Sequence, residues 1–235
     1  MLSHVSNQVV VLKLVAGVIG VLIPIITLAI WKKQTKSKIK PAVVGAIIFV
    51  VFSQILEGVP KVFLFMGDTV VSRYVLSHAW AYVLAGCLLA GVFEEVGRYV
   101  GFRYFLKGYE NKKNAITYGI GHGGIECILI LGIGAASLQV PWLVGYDVFH
   151  MFLEVFERIL AMTLHIGLSV VVFRAVREKK IGWLFLAILI HGLFDVPAAL
   201  YQFGVIGINA TEIGLFIETI IVVFAARKIY VQMEG

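Results

Sequence analysis

Glutamate, histidine, arginine and aspartate recur in four apolar stretches of this chain, at spacings that let their side chains meet. The stretches are Glu94-Glu95-Val-Gly-Arg98, Tyr118-Gly-Ile-Gly-His122 followed by Glu126, His165 with Ser169, and His191 with Asp195. His122 and Glu126, His165 and Ser169, and His191 and Asp195 each stand four residues apart, which on a helix puts both members on one face. Glu94 and Glu95 differ by about 100° around a helix and so take different roles, while Arg98 can neutralise either one. One carboxylate held ionised beside histidines is the apparatus needed to deprotonate water, and hence to hydrolyse a bond. A second chemistry uses the same residues: His122, His165 and His191 with a glutamate would make a zinc site with an open water position. His-Glu-x-x-His is absent from the sequence, but ligands drawn from separate helices would not produce it.

The elements that must position these groups are membrane spans. Hydrophobic residues make up 60% of the 235 and charged residues 14%, with a mean hydropathy of +0.95, far outside the range of a soluble domain. A helical span needs about 20 apolar residues, and segments at roughly 6–31, 42–65, 75–106, 114–134, 149–173, 181–202 and 205–226 qualify. The runs are long and continuous, unlike the alternating strands of an outer-membrane barrel. The expected fold is therefore all-α: a polytopic transmembrane helical bundle of about seven spans, forming a single integral membrane domain over residues 1–235. Each ionisable group at bilayer depth costs at least about 2–3 kcal/mol unless it is paired or lines a polar cavity, so the cluster is a functional-site hypothesis by default.

A net charge of +6 and a pI near 9.3 follow from the loops and call for no nucleic-acid partner. Lys32, Lys33, Lys36, Lys38 and Lys40 lie between the first two spans, Lys107, Lys112 and Lys113 between the third and fourth, and Arg174, Arg177, Lys179 and Lys180 between the fifth and sixth; Arg227 and Lys228 follow the seventh. The connections near 66–74, 135–148 and 203–212 carry only Arg73. By the positive-inside rule the N-terminus lies outside and the C-terminus in the cytoplasm of a multi-pass plasma-membrane protein. The first apolar run has no cationic leader and is read as a retained span. Cys87 and Cys127 fall within spans and are read as packing residues.

Depth ties the four stretches together. Counting from the nearest cations at 1.5 Å per residue, Glu95 lies roughly 18 Å in, His122 and His165 roughly 14 Å, and His191 roughly 16 Å. That is one level near the middle of a core about 30 Å thick, and it implies one shared cavity.

Glu94-Glu95-xx-Arg98, Tyr118-xxx-His122 and His191-xxx-Asp195 resemble the three intramembrane motifs of the CAAX prenyl-protease and bacteriocin-processing superfamily, and their order is similar to that of PrsW-type proteases. The likeness extends over most of the chain to the YhfC-type membrane peptidases of bacteria, including Gly121-His122-Gly-Gly-Ile-Glu126 and the His165 helix. The resemblance implies a glutamate-dependent intramembrane endopeptidase with Glu94 as general base and His122 as its partner. In that reading His191 and Asp195 stabilise the oxyanion, Arg98 orients the carboxylates, and Glu95, Glu126, Tyr118, His165 and Ser169 complete the site. The substrate implied is a membrane-embedded or lipidated peptide or protein. Three departures stand out: Arg98 comes one residue earlier than in the usual Glu-Glu-xxx-Arg, Tyr118 replaces Phe, and Asp195 replaces Asn. An ionised Asp195 would repel an oxyanion, so it must be protonated, paired with His191 or otherwise employed. Glutamate and metal mechanisms both stand at this point, zinc being the cofactor of the second.

Plainer readings accompany these. Arg98 with Glu94 or Glu95 can be a structural ion pair, and His165 with Ser169 can simply bridge helices. Glu126 can serve as a ligand, a partner of Arg98 or an interhelical bond. Arg158 is placed to pair with Glu154, and Glu57 with Lys61, each at four residues; Glu157 and Arg158 are read as structural or mouth-lining. Asp147 and His150 are expected to be solvated. The glycines around His122 either pack helices closely or leave bare backbone for an extended substrate, and Pro197 can bend its helix. The competing functions are a proton-coupled transporter, whose buried acids and histidines would form a path to both faces, and a non-catalytic binding or immunity protein.

Overall fold

The structure, a computed structural model, describes residues 7–134 and 146–233. It consists of α1 (Asn7–Thr35), α2 (Lys40–Met66), α3 (Val70–Ser77), α4 (Ala79–Phe105), α5 (Lys113–Ile133), α6 (Val148–Glu178), α7 (Gly182–Gln202) and α8 (Ile208–Gln232). There is no strand among the described residues, and every helix but α3 is long and apolar enough to cross a membrane, which gives the seven spans read from the sequence. Most of the expected 135–148 connection lies outside the described residues.

One boundary differs from expectation. The third span begins at Ala79 rather than 75, because His78 is extended (φ −127°, ψ 111°) and breaks the helix. The residues before it are not a plain loop either. Thr69 accepts from the Ser72 amide at 3.0 Å while the Ser72 hydroxyl receives the Thr69 amide at 3.0 Å, a reciprocal cap that starts the short α3. Asp147 caps α6 by its side chain alone, accepting from the His150 amide at 3.0 Å and facing its ring nitrogen at 2.7 Å. Both residues are exposed, as expected, yet Asp147 has a structural task that the sequence reading did not give it.

Four stretches wind as π-helix: Val50–Leu56 and Val62–Met66 in α2, Gly101–Phe105 in α4 and Ile128–Ile133 in α5. Such turns spread the backbone and rotate the side chains that follow, and they occur often at functional sites.

Lipid-facing positions are apolar, as with Leu14, Val18, Leu22 and Ile25 on α1. The interior is organised on α6, whose Leu164, Leu168, Val171 and Val172 are almost wholly enclosed. Close approach of α5 to its neighbours depends on glycine. A methyl on Gly121 would lie 2.0 Å from the Ala42 carbonyl oxygen of α2, and one on Gly119 would lie 2.5 Å from Cα of Ile166 in α6. The idea that these glycines leave bare backbone open beside His122 is therefore corrected: neighbouring helices already occupy that space.

The basic connections gather at one end of the bundle. Lys113 Nζ donates to the Thr35 carbonyl at 3.0 Å, Lys112 Nζ to the Met233 carbonyl at 2.6 Å, and Arg174 to Gln232 Oε1 at 3.1 Å. The opposite end is tied by Tyr82 to Gln202 at 3.2 Å and by Lys13 to Glu154. Glu57 and Lys61 form the expected pair at 2.7 Å. Arg158 does not pair with Glu154: it turns inward to Glu126 at 2.6 Å and to Glu157, while Glu154 is held by Lys13 and by the Tyr146 hydroxyl at 2.6 Å.

Candidate active site

Helices α4, α5, α6 and α7 deliver Glu94, His122, His165 and His191 to one place, as the common depth required. The ring centroids of His122 and His165 are 4.9 Å apart and those of His165 and His191 5.4 Å apart. Glu94 faces this group. Its Oε1 accepts from the Ser53 hydroxyl of α2 at 3.0 Å, which leaves Oε2 3.0 Å from His122 Nε2 and 3.9 Å from His165 Nδ1.

Glu95 has a different environment, one helical step away. Arg98 forks onto it, Nε to Oε2 at 2.9 Å and Nη2 to Oε1 at 3.0 Å. The remaining Arg98 donors reach α6: Nη1 meets the His165 carbonyl at 2.9 Å and Ser169 Oγ at 2.5 Å, and Nη2 meets His165 Nδ1 at 3.0 Å. Arg98 therefore orients Glu95 and the His165 turn, not both carboxylates. Glu95 and Arg98 are fully enclosed, and the Glu95 Oε1 is shared with His191 Nδ1 at 2.8 Å. The other His191 nitrogen, Nε2, lies 3.6 Å from Asp195 Oδ2, so Asp195 is paired with His191.

Glu126 does not join its i−4 neighbour His122. It accepts from Arg158 at 2.6 Å and faces His165 Nε2 at 2.6 Å. Because Arg98 donates to His165 Nδ1, the His165 proton resides on Nε2 and is directed at Glu126. Tyr118 is buried, stacked on His122 with centroids 5.9 Å apart and on Phe102 at 4.4 Å, and acts by packing.

A cavity of about 390 Å³ opens over this cluster. Glu94, Glu126, His165, His191 and Asp195 line its inner part, and Lys61, Tyr82 and Gln202 line the part toward the end opposite the basic connections. His122, Glu95, Arg98 and Ser169 lie behind the wall, fully enclosed.

Donor atoms close enough to hold a metal ion form two groups that share His165, Glu94–His122–His165 and Glu95–His165–His191, with the atoms of each within 4.8 Å of one another. The three-histidine set read from the sequence is thus divided among the described residues. The first group fits zinc: its two histidine nitrogens, His122 Nε2 and His165 Nδ1, lie 3.0 and 3.9 Å from Glu94 Oε2, on either side of the roughly 3.3 Å expected between ligands of a tetrahedral zinc. His165 is backed by Glu126, as a metal-ligating histidine usually is, and Ser53 fixes Glu94. Ligation through His165 Nδ1 requires that nitrogen to leave Arg98.

Sequence reading missed the part played by α2. Ser53 orients Glu94, and Phe49 sets its ring edge against His122 at 5.1 Å and His165 at 6.5 Å. The one signal was Ser53-Gln54, a polar pair inside an apolar run.

A family model described as "YhfC intramembrane metalloprotease" matches residues 19–144 and 142–216. The chain belongs to this family. A YhfC relative from Bacillus subtilis (strain 168), named "Uncharacterized membrane protein YhfC", is 34% identical over 96% of both chains. No solved structure matches. Every residue of the buried cluster, Ser53 included, lies within the stretch matched by the YhfC family.

Proposed function

We propose that this protein is an intramembrane endopeptidase that hydrolyses a peptide bond of a membrane-embedded or lipidated substrate. The observation that carries this reading is Glu94, a carboxylate fixed by Ser53, set against His122 and opening on a polar cavity within the span level. Glu94 takes the proton from an attacking water, and His122 holds the carboxylate in position and shares the proton. His191 is anchored through Nδ1 to Glu95, and its Nε2, 3.6 Å from Asp195 and beyond full hydrogen-bond distance, lies beside the cavity, where it donates to the carbonyl oxygen as negative charge develops. Asp195, paired with His191, balances that histidine's charge without itself meeting the oxyanion. The Arg98–Glu95 fork positions both α6 and His191.

Glu94, His122 and His165 are the residues that would hold zinc. Bound there, the ion would supply a more acidic water, ready to give hydroxide near neutral pH, and a Lewis acid for the carbonyl. The family description favours this form, in which Glu94 and His122 would serve as ligands instead of as a water-activating pair.

The cavity wall speaks against the transporter reading. Fully enclosed Glu95, Arg98, Tyr118 and Ser169 close the site toward the basic end, so among the described residues the polar groups form no path to both faces. We place the basic end in the cytoplasm and the cavity mouth outside, on the charge asymmetry of the connections.

The test is metal analysis of detergent-solubilised protein beside Glu94→Gln and His122→Ala, with cleavage of a membrane-peptide panel read in the same samples. Cleavage lost in both variants, with about one zinc per chain lost in His122→Ala, is the expected result. Folded wild type that neither binds metal nor cleaves any peptide overturns the proposal.

A further inference from the structure

A second cavity, about 450 Å³ and separated from the histidine cluster by the Tyr118 ring, lies at the basic end between the C-terminal ends of α4 and α6. Its rim is cationic: Arg103 and Lys107 from the α4 end, Arg177 and Lys179 from the α6 end, all exposed. Its inner wall is apolar, formed by buried Phe102, Leu106 and Phe173. Tyr109, which also lines it, has the ammonium groups of Lys38 and Lys40 over its ring at 5.3 and 5.1 Å, so further positive charge stands beside the rim. Glu110 is the one carboxylate among the lining residues. The nearby Glu178 is bound by Arg174 at 2.6 Å and Lys180 at 3.2 Å, outside the cavity, and does not offset the rim.

Two backbone features mark the same place. Gly101–Phe105, which carries Arg103 of the rim and Phe102 of the inner wall, is wound as π-helix. Lys179 ends α6 with φ +55°, a left-handed conformation that glycine adopts at less cost, so a lysine there is held against the backbone's preference. Exposed Tyr104 and Phe105 beside the opening place it at the level where aromatic side chains meet lipid headgroups.

We propose that this cavity binds the phosphate group of an anionic membrane lipid, the cations holding the headgroup while Phe102, Leu106 and Phe173 receive the start of the acyl chains. Arg103, Lys107 and Lys179 converge on a volume that also has an apolar wall at the membrane interface, and a freely soluble phosphate would have no use for that wall. The inference does not depend on the hydrolytic reading, since none of these residues touches Glu94 or the histidines.

The test follows thermal unfolding of the full-length protein in a neutral detergent while dioleoylphosphatidylglycerol, dioleoylphosphatidylcholine or inorganic pyrophosphate is titrated in. Phosphatidylglycerol raises the midpoint saturably and phosphatidylcholine does not. The double variant Arg103→Gln/Lys107→Gln needs about 25-fold more phosphatidylglycerol for half the effect, about fivefold per cation. Lys179→Gly supplies the folding control: it relieves the left-handed residue, so the lipid-free midpoint is no lower than wild type, yet its response to phosphatidylglycerol weakens about fivefold. Stabilisation by pyrophosphate alone overturns the lipid assignment in favour of a soluble phosphate compound. Equal responses to the two lipids, or equal responses of wild type and variants, overturn the site itself.

Discussion

Glu94 and Glu95 are neighbours in sequence and opposites in environment: Glu94 meets Ser53, His122 and the cavity, whereas both oxygens of Glu95 are forked by Arg98 and one is shared with His191. Isosteric substitution separates these tasks. Glu94→Gln keeps the fold and lowers the cleavage rate by about 10²–10⁴-fold, the range for loss of a general base. Glu95→Gln leaves the Arg98 charge enclosed without its partner and costs about 3–5 kcal/mol of stability. Thermal unfolding and cleavage measured on both proteins check this; a Glu94→Gln protein that unfolds as early as Glu95→Gln contradicts the division.

Helix contact at α5 sets a second expectation. Gly121→Ala drives a methyl into the Ala42 carbonyl of α2 and destabilises by about 1–3 kcal/mol. Gly182→Ala, where nothing lies within 4 Å, is neutral or stabilising by up to about 1 kcal/mol. Unfolding midpoints of the two variants in one detergent decide the matter, and equal midpoints would remove the packing argument.

Cys87 lines the cavity and Cys127 does not, although both are buried. A small charged methanethiosulfonate reagent therefore modifies Cys87 in folded protein well before Cys127, and in sealed vesicles it does so only from the side opposite the basic connections. Peptide mass mapping after timed exposure reads both outcomes. Preferential reaction from the basic side would reverse the assigned cavity mouth.

At the start of α6, the backbone amide and ring of His150 bind the Asp147 carboxylate and hold its pKa below the ordinary aspartate value. A depressed folded value means that the cap's contribution is present above the unfolded pKa and is lost as pH falls through the folded one. Hydrogen exchange in the first turn of α6 therefore accelerates relative to the helix centre only at pH below the usual aspartate range. In Asp147→Asn, which keeps an acceptor but has no carboxyl proton to gain, that pH dependence disappears.

Much of the site was legible because the groups that matter are ionisable residues in apolar runs, where chance occurrence is costly. The single step between Glu94 and Glu95 foretold their separation, and the i,i+4 relation of His191 and Asp195 became a contact at 3.6 Å. The same rule failed for His122 and Glu126, since sharing a face does not select a partner: Glu126 is taken by Arg158 and His165 from α6. Arg158 likewise left its i−4 neighbour Glu154 for a partly buried carboxylate on another helix. Ser53 was hidden for another reason. A lone hydroxyl costs little in a span, and the π-helical winding from Val50 to Leu56 shifts the faces that a 3.6-residue period would assign. The capped α3 was lost because a helix of eight residues in a polar connection has no apolar stripe long enough to register.

The enclosed Arg98–Glu95 fork, with Ser169 and Tyr118 beside it, makes the cavity a blind alley. In the proposed reaction, a proton taken from water at Glu94 must return by the way the water came. A cell that stores energy as an ion gradient can thus carry a polar hole to the middle of its membrane without discharging that gradient, because acid–base cycling at the bottom of a blind alley transfers no net charge from one compartment to the other.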